Sequence, residues 1–167
     1  MKILRAAPLT ATAFAPFGDL VAATPDQSQR LINEGHTTRF HDLANIQAAQ
    51  DGGRLTVNIF RTTARDMPLT LHQMERHPKS SQLFMPLGPA AYLVVVAPAG
   101  DFDGAGMRAF IAAAGQGVNY HAGVWHHYSL ALPGLKSQQS DFLVVDYAGL
   151  GDNCDIMELP EPVRVTV

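Results

Sequence analysis

Short runs rich in Val, Ile, Leu, Phe and Tyr are separated along the whole chain by glycine and proline, and this spacing is the strongest constraint on the fold. The 167 residues include 14 Gly and 11 Pro. Closely spaced apolar runs joined by turn residues are typical of an all-β barrel or sandwich with little helix. A mixed α+β domain is the alternative. The strand candidates are residues 54–59, 81–86, 92–97, 107–112, 127–132 and 142–146.

Two local patterns refine this prediction. Polar and apolar residues alternate over residues 54–59, which indicates a half-buried strand in which Leu55, Val57 and Ile59 share one face. Residues 10–14 can form a short helix capped by Thr10, and residues 45–50 a second one ended by the following glycine pair. We expect both helices to lie outside the β core.

Length and composition exclude several classes of protein. Without repeats or a linker, residues 1–167 are expected to form one domain. A net charge of −3 leaves no excess of cations for nucleic acid. The longest apolar stretch, residues 90–99, is too short for a membrane span, and we find no secretory signal. The single Cys154 suits a reducing compartment, so we expect a cytoplasmic protein.

Five of the seven histidines fall in two clusters, His72 with His77, and His121 with His126 and His127. Residues i and i+2 of a strand share a face, so Glu75 and His77 are expected to project together. If residue 82 begins the paired strand, the Gln82 side chain can join them. His126 and His127 should then point to opposite faces, and we interpret His127 as structural.

These clusters resemble the two cupin motifs. In the first, Glu75 and His77 take the two histidine positions and Gln82 the glutamate position. In the second, Gly123 and His126 are in register, with His121 in place of proline. The chain as a whole is similar to the ureidoglycolate lyase family, also called ureidoglycolate hydrolase, of allantoin degradation. The matching segments are residues 39–44, 68–78, 108–111, 115–121, 123–127 and 151–155.

The resemblance implies a cupin-like antiparallel β-barrel, a homodimer, and cleavage of (S)-ureidoglycolate into glyoxylate and urea. It also implies an association with nickel, and a catalytic set of Glu75, His77, Gln82 and His126. Ala122 and Tyr128 stand where the family usually has proline, which affects loop geometry rather than reactive groups.

The reaction needs a base for the substrate hydroxyl and an acid for the departing nitrogen. Imidazoles have a reference pKa of about 6.5, which suits His77 and His126, and burial could make Glu75 a base. Alternatively, Glu75, His77, Gln82 and His126 could hold a divalent metal. The sequence leaves both open.

Substrate binding also requires a partner for the carboxylate and contacts at the mouth of the barrel. The candidates are Arg61, Arg76 and Arg108 for the carboxylate. Tyr120 and Trp125 are further candidates, although both could equally be packing groups. Two other functions remain, an amidohydrolase that releases ammonia and carbon dioxide, and a non-catalytic cupin that binds a small acid.

Overall fold

The computed structural model describes residues 1–134 and 137–167, and strands dominate it. One α-helix, α1 (Ala11–Phe14), and two short 3-10 turns, Asn33–Gly35 and Gly104–Gly106, complete the regular structure. No helix in the described part of the chain is long and apolar enough to cross a membrane. The strands are β1 (Lys2–Arg5), β2 (Ala7–Pro8), β3 (Gly18–Val21), β4 (Gln29–Ile32), β5 (Thr37–Phe40), β6 (Arg54–Thr63), β7 (Leu69–Arg76), β8 (Gln82–Pro86), β9 (Tyr92–Ala97), β10 (Arg108–Ala112), β11 (Gly117–Tyr120), β12 (Trp125–His126), β13 (Leu130–Ala131), β14 (Gln139–Ala148) and β15 (Asp155–Thr166).

The strands form two main sheets. The larger has the order β1-β15-β7-β12-β9-β10-β2, with β13 also paired to β9, and the smaller has the order β3-β11-β8-β14-β6. Strands β4 and β5 make a separate hairpin. The predicted antiparallel β-barrel is confirmed in class, but β1 with β15 and β2 with β10 are parallel pairs.

Strand β9 is buried on both faces and joins two hydrophobic cores. Tyr92, Val94 and Val96 pack with aromatic and aliphatic side chains of the smaller sheet, including Phe84 and Phe142. The alternating residues Leu93, Val95 and Ala97 belong to a second core with residues of β7, β10 and β15. This two-sided burial explains why the β9 sequence is continuously apolar rather than alternating.

Five of the six strand candidates agree with observed strands, and the candidate at residues 127–132 is a strand only at Leu130–Ala131. His126 pairs with Val96, whereas Leu130 pairs with Leu93, so four steps along this segment match three along β9. One extra residue interrupts the ladder, as in a β-bulge. The result is two strands of two residues each, β12 and β13.

Helix α1 forms where it was predicted, with the Thr10 hydroxyl accepting a hydrogen bond from the backbone N–H of Ala13. The helix predicted at residues 45–50 is wrong. Its backbone N–H groups at positions 45, 47 and 49 do not bond within a helical turn. They donate instead to the Asp19 carboxylate, the Ser81 hydroxyl and the Lys79 carbonyl.

Strand β6 has the predicted alternation, but its apolar face is the exposed one. Leu55, Val57 and Ile59 are 44%, 70% and 55% exposed, whereas Thr56 and Asn58 are half-buried. This strand turns polar side chains inward and apolar side chains outward. The interior beside it is therefore partly polar, and its outer face is an apolar surface that no described residue covers.

Candidate functional site

Two neighbouring strands of the larger sheet bring Glu75 and His126 together. Glu75 lies near the end of β7, and His126 is its direct partner on β12. Glu75 Oε1 lies 3.7 Å from His126 Nδ1. His77 follows β7 immediately, and its ring centroid is 5.1 Å from that of His126. Candidate ligand atoms of Glu75, His77 and His126 all lie within 4.8 Å of one another.

Gln82 belongs to the smaller sheet rather than to a strand paired with β7. It begins β8, which pairs with β11 and β14, so the expected pairing is wrong. Its cross-strand neighbour is Tyr120, whose ring stacks on the His126 imidazole with centroids 4.3 Å apart and planes 2° apart. Tyr120 therefore pairs through its backbone with Gln82 of one sheet and stacks its ring on His126 of the other.

The hydrogen bonds of both histidines fix their tautomers. His77 Nδ1 lies 2.6 Å from the backbone carbonyl of Asn153, and His126 Nδ1 lies 3.2 Å from that of His127. A carbonyl can only accept, so each Nδ1 carries the proton and each Nε2 keeps its lone pair. Both Nε2 atoms are buried and have no hydrogen-bond partner among the described residues.

Gln82 presents a third buried acceptor. Its Nε2 donates to Asp146 Oδ2 at 3.2 Å. Its Oε1 is buried without a partner in the described part of the chain. Buried polar atoms are normally hydrogen-bonded, so three such acceptors in one cluster indicate a ligand.

The donor set fits a divalent metal ion. Two imidazole nitrogens, a carboxylate and an amide oxygen are ordinary ligands for transition metals. A metal-bound histidine commonly donates its other ring N–H to a carbonyl, as His77 and His126 do here. The structure therefore contains a candidate metal triad of Glu75, His77 and His126.

Burial changes the acid–base properties of the site. Desolvation, with a smaller effect of His77, lowers the pKa of His126 to about 3. This side chain is therefore a neutral imidazole at neutral pH and is poorly matched to proton transfer, contrary to what the sequence suggested. Burial raises the pKa of Glu75, an electrostatic effect of His77 opposes the rise, and the charge of Asp146 adds to it.

Of the two aromatic candidates, only Tyr120 is part of the cluster. Burial and the charge of Glu75 raise the pKa of its hydroxyl, which stays protonated. Trp125 belongs to the second hydrophobic core, on the side opposite the histidines. Its Nε1 donates to the Gly100 carbonyl, and its ring packs under the Arg76 guanidinium.

The three candidate arginines have different surroundings. Arg61 is paired with Asp141, five residues along β14 from Asp146, or roughly 17 Å at the usual rise of a strand. Arg76 is held by Asp155 and by the Gly100 carbonyl. The structure brings neither of them to the cluster.

Arg108 is placed differently. It pairs with Val96, which in turn pairs with His126, so the three share one face of the sheet. Two strand spacings separate Arg108 from His126, roughly 10 Å. Arg108 donates only to the backbone carbonyls of Ala105 and Met107, and no described carboxylate forms an ion pair with it.

Sequence reasoning missed Asp146 and Asn153. Asp146 ends the predicted strand 142–146, and its alternation with the buried Phe142 and Val144 was a usable signal for an inward position. Asn153 acts through its backbone carbonyl, and its side chain bonds Lys79 N and Ser80 Oγ. A role of a main-chain atom has no signature in the sequence.

Comparison with known proteins identifies the family of the chain. The model of the family "Ureidoglycolate lyase" matches residues 1–166. A ureidoglycolate lyase of Burkholderia mallei (strain NCTC 10229) is 50% identical over 166 residues, covering 99% of this chain and 95% of the relative. Those of Pseudomonas entomophila (strain L48) and Pseudomonas syringae pv. tomato are 47% and 48% identical, covering 96% and 100% of this chain and 94% and 96% of the relatives. The chain belongs to the ureidoglycolate lyase family.

Proposed function

We propose that the protein is a carbon–nitrogen lyase that cleaves (S)-ureidoglycolate into glyoxylate and urea, in the degradation of allantoin for nitrogen use. The observation that carries this proposal is the convergence of Glu75, His77 and His126, with two buried Nε2 acceptors that have no partner among the described residues, in a chain of this family. A cluster of unpartnered buried acceptors costs stability, so it is maintained for a ligand.

The reaction transfers one proton and breaks one bond. The base takes the proton of the substrate hydroxyl, the C–N bond breaks with its electron pair moving to nitrogen, and the nitrogen takes up a proton to complete urea. Glu75 is suited to accept the hydroxyl proton, since it is a carboxylate with an 18% exposed side chain beside His126. The protonated Tyr120 hydroxyl is a neutral donor in the same cluster.

A divalent metal, with nickel as the ion that the family resemblance suggests, is part of this proposal. His77 Nε2, His126 Nε2, Gln82 Oε1 and one Glu75 oxygen would hold it, leaving the second Glu75 oxygen for the proton. A bound cation of this kind would acidify the substrate hydroxyl. The backbone carbonyls of Asn153 and His127 accept hydrogen bonds from the two Nδ1 atoms and keep both imidazoles oriented for the metal.

Arg108 is the arginine that we assign to the substrate carboxylate. It shares a sheet face with His126 and is not paired with a carboxylate, whereas Arg61 and Arg76 are. A guanidinium can bind a carboxylate through two parallel hydrogen bonds, which would fix the orientation of the small substrate.

A second copy of the chain is the partner that we propose for the outer face of the smaller sheet. Val57 and Ile59 pair with Val145 and Leu143, and these pair with Leu83 and Met85. All six are exposed or half-buried and, with Leu55, form one apolar surface. An apolar patch of this kind marks an interface, and a shared two-fold interface would bury it in both copies.

The exposed free thiol of Cys154 fits a cytoplasmic location.

Product analysis tests the proposal. Purified protein is incubated with racemic ureidoglycolate, and urea, ammonia and glyoxylate are measured together. We expect urea and glyoxylate in equal amounts, with consumption ending at half of the racemate. Ammonia without urea would identify an amidohydrolase, and binding without turnover would identify a non-catalytic cupin.

A further inference from the structure

Asp146 lies directly behind Gln82 and is itself held in place. Its Oδ2 accepts a hydrogen bond from Gln82 Nε2 at 3.2 Å, and its Oδ1 accepts one from the backbone N–H of Tyr147 at 2.9 Å. Both carboxylate oxygens are therefore engaged. An acceptor that is fixed from behind can hold the group in front of it in one orientation.

The contact determines which end of the Gln82 amide faces the cluster. A carboxylate cannot donate, so only the NH2 end of Gln82 can bond Asp146. The carbonyl end is then the free end, and Gln82 Oε1 is the buried atom without a partner. If the amide rotated by 180°, a donor would replace this acceptor, and two oxygens would face each other at Asp146.

From this arrangement, we infer that Asp146 is a positioning residue that holds Gln82 Oε1 as an acceptor toward the ligand of the site. The inference rests on the proposed function. It also explains why position 82 carries an amide, since a carboxylate there would stand against the Asp146 carboxylate at hydrogen-bond distance. The negative charge of the pair is therefore on Asp146, and Gln82 separates it from the ligand position.

The neighbouring strand β6 offers Asp146 polar surroundings. On β6, Thr56 pairs directly with Asp146, and its hydroxyl accepts a hydrogen bond from the Asn58 amide, so the part of β6 opposite Asp146 is polar. Asp146 therefore lies in polar surroundings, and the side chain that donates a hydrogen bond to it is the Gln82 amide.

A swap of the two groups tests the inference. The variants are Gln82→Glu, Asp146→Asn and the double variant, in which the carboxylate and the amide exchange places and their hydrogen bond can form again. Asp141→Asn, at a half-buried position on the same strand where the carboxylate pairs with Arg61, is the matched control. For each variant we would measure turnover of ureidoglycolate, affinity for Ni²⁺ by competition with a chelator, and the melting temperature.

We expect Asp146→Asn to lose at least about tenfold in turnover and in Ni²⁺ affinity, as is usual for partners behind a ligand, and Gln82→Glu to lose at least about tenfold in turnover. The double variant should regain most of both, and the control should keep wild-type values. Full activity and Ni²⁺ affinity in Asp146→Asn, or a double variant no better than the single ones, would overturn the inference. A purely structural role would lower the melting temperature while leaving kcat and Ni²⁺ affinity unchanged.

Failure of the proposed function gives a different result. In that case the wild-type protein itself would release no urea. The melting temperatures of the wild type, the two single variants and the double variant would still report on the Gln82–Asp146 contact. Coupling between the two substitutions, seen as recovery of the melting temperature in the double variant, would support the Gln82–Asp146 unit, and additive losses would overturn it.

Discussion

Glu75 and His126 are direct cross-strand partners, and Glu75 Oε1 lies 3.7 Å from His126 Nδ1. This pairing places a half-buried carboxylate beside an imidazole whose side chain is 1% exposed. The His77 ring joins them from the end of β7. The relationship matters because it combines a carboxylate that can take a proton with two imidazole nitrogens that have no hydrogen-bond partner in the described part of the chain.

Metal removal is the first test of this combination. After dialysis against EDTA, we expect turnover to fall at least tenfold and to return on addition of Ni²⁺, since four donors of the cluster would hold the ion. Metal content is measured by mass spectrometry in parallel with the rates. Full turnover by protein shown to be free of metal would instead support the metal-free acid–base reaction.

Arg108→Ala should raise KM for ureidoglycolate about tenfold or more, because a charge-assisted carboxylate contact would be lost. Arg61→Ala is the matched control, since Arg61 is paired with Asp141 away from the cluster. Steady-state kinetics of both variants decide the assignment. An unchanged KM in Arg108→Ala would show that another group binds the substrate carboxylate.

His127→Ala should affect stability more than turnover. The His127 side chain is 4% exposed, its Nδ1 donates to the Tyr128 carbonyl, and burial lowers its pKa to about 4, so it is neutral. The substitution keeps the His127 backbone carbonyl that orients His126. We expect a loss of about 1–3 kcal/mol in the free energy of unfolding, measured by denaturant titration. Loss of turnover without loss of stability would contradict a structural role.

The outer face of the smaller sheet gives a prediction for the oligomeric state. Light scattering of the wild-type protein should give a mass of twice 18.0 kDa. Val57→Glu should shift the mass toward the monomer, because a charge would be buried in an apolar interface. Leu31→Glu is the control, since Leu31 is 68% exposed on the separate β4–β5 hairpin. A monomeric wild-type protein would refute the proposed interface.

The sequence predicted the class of fold well because apolar runs and turn residues report directly on strands. It failed where long-range contacts decide the backbone. Residues 45–50 look helical in isolation, but their N–H groups bond to side chains and carbonyls of distant residues. The bulge after His126 depends on the register with β9, which local sequence does not encode.

The same distinction applies to the site. Glu75, His77, Gln82, His126 and Tyr120 could be named from motifs. The structure brings Glu75, His77 and His126 together and stacks Tyr120 on His126, and Gln82 is the cross-strand neighbour of Tyr120. Trp125 and Arg76 were adjacent to the motif residues in sequence, but strand alternation turns them to the opposite face. The low pKa of His126 follows from complete burial between two sheets, which no single strand reveals.

The initial rate of urea release from (S)-ureidoglycolate by the wild-type protein, His77→Ala, His126→Ala and His72→Ala tests the central claim most directly. His72 lies on β7 with an exposed side chain and is the matched control. We predict that His77→Ala and His126→Ala each lower the rate by about a hundredfold or more while remaining folded, and that His72→Ala keeps the wild-type rate. A wild-type rate in His126→Ala, with the protein folded, would contradict the account.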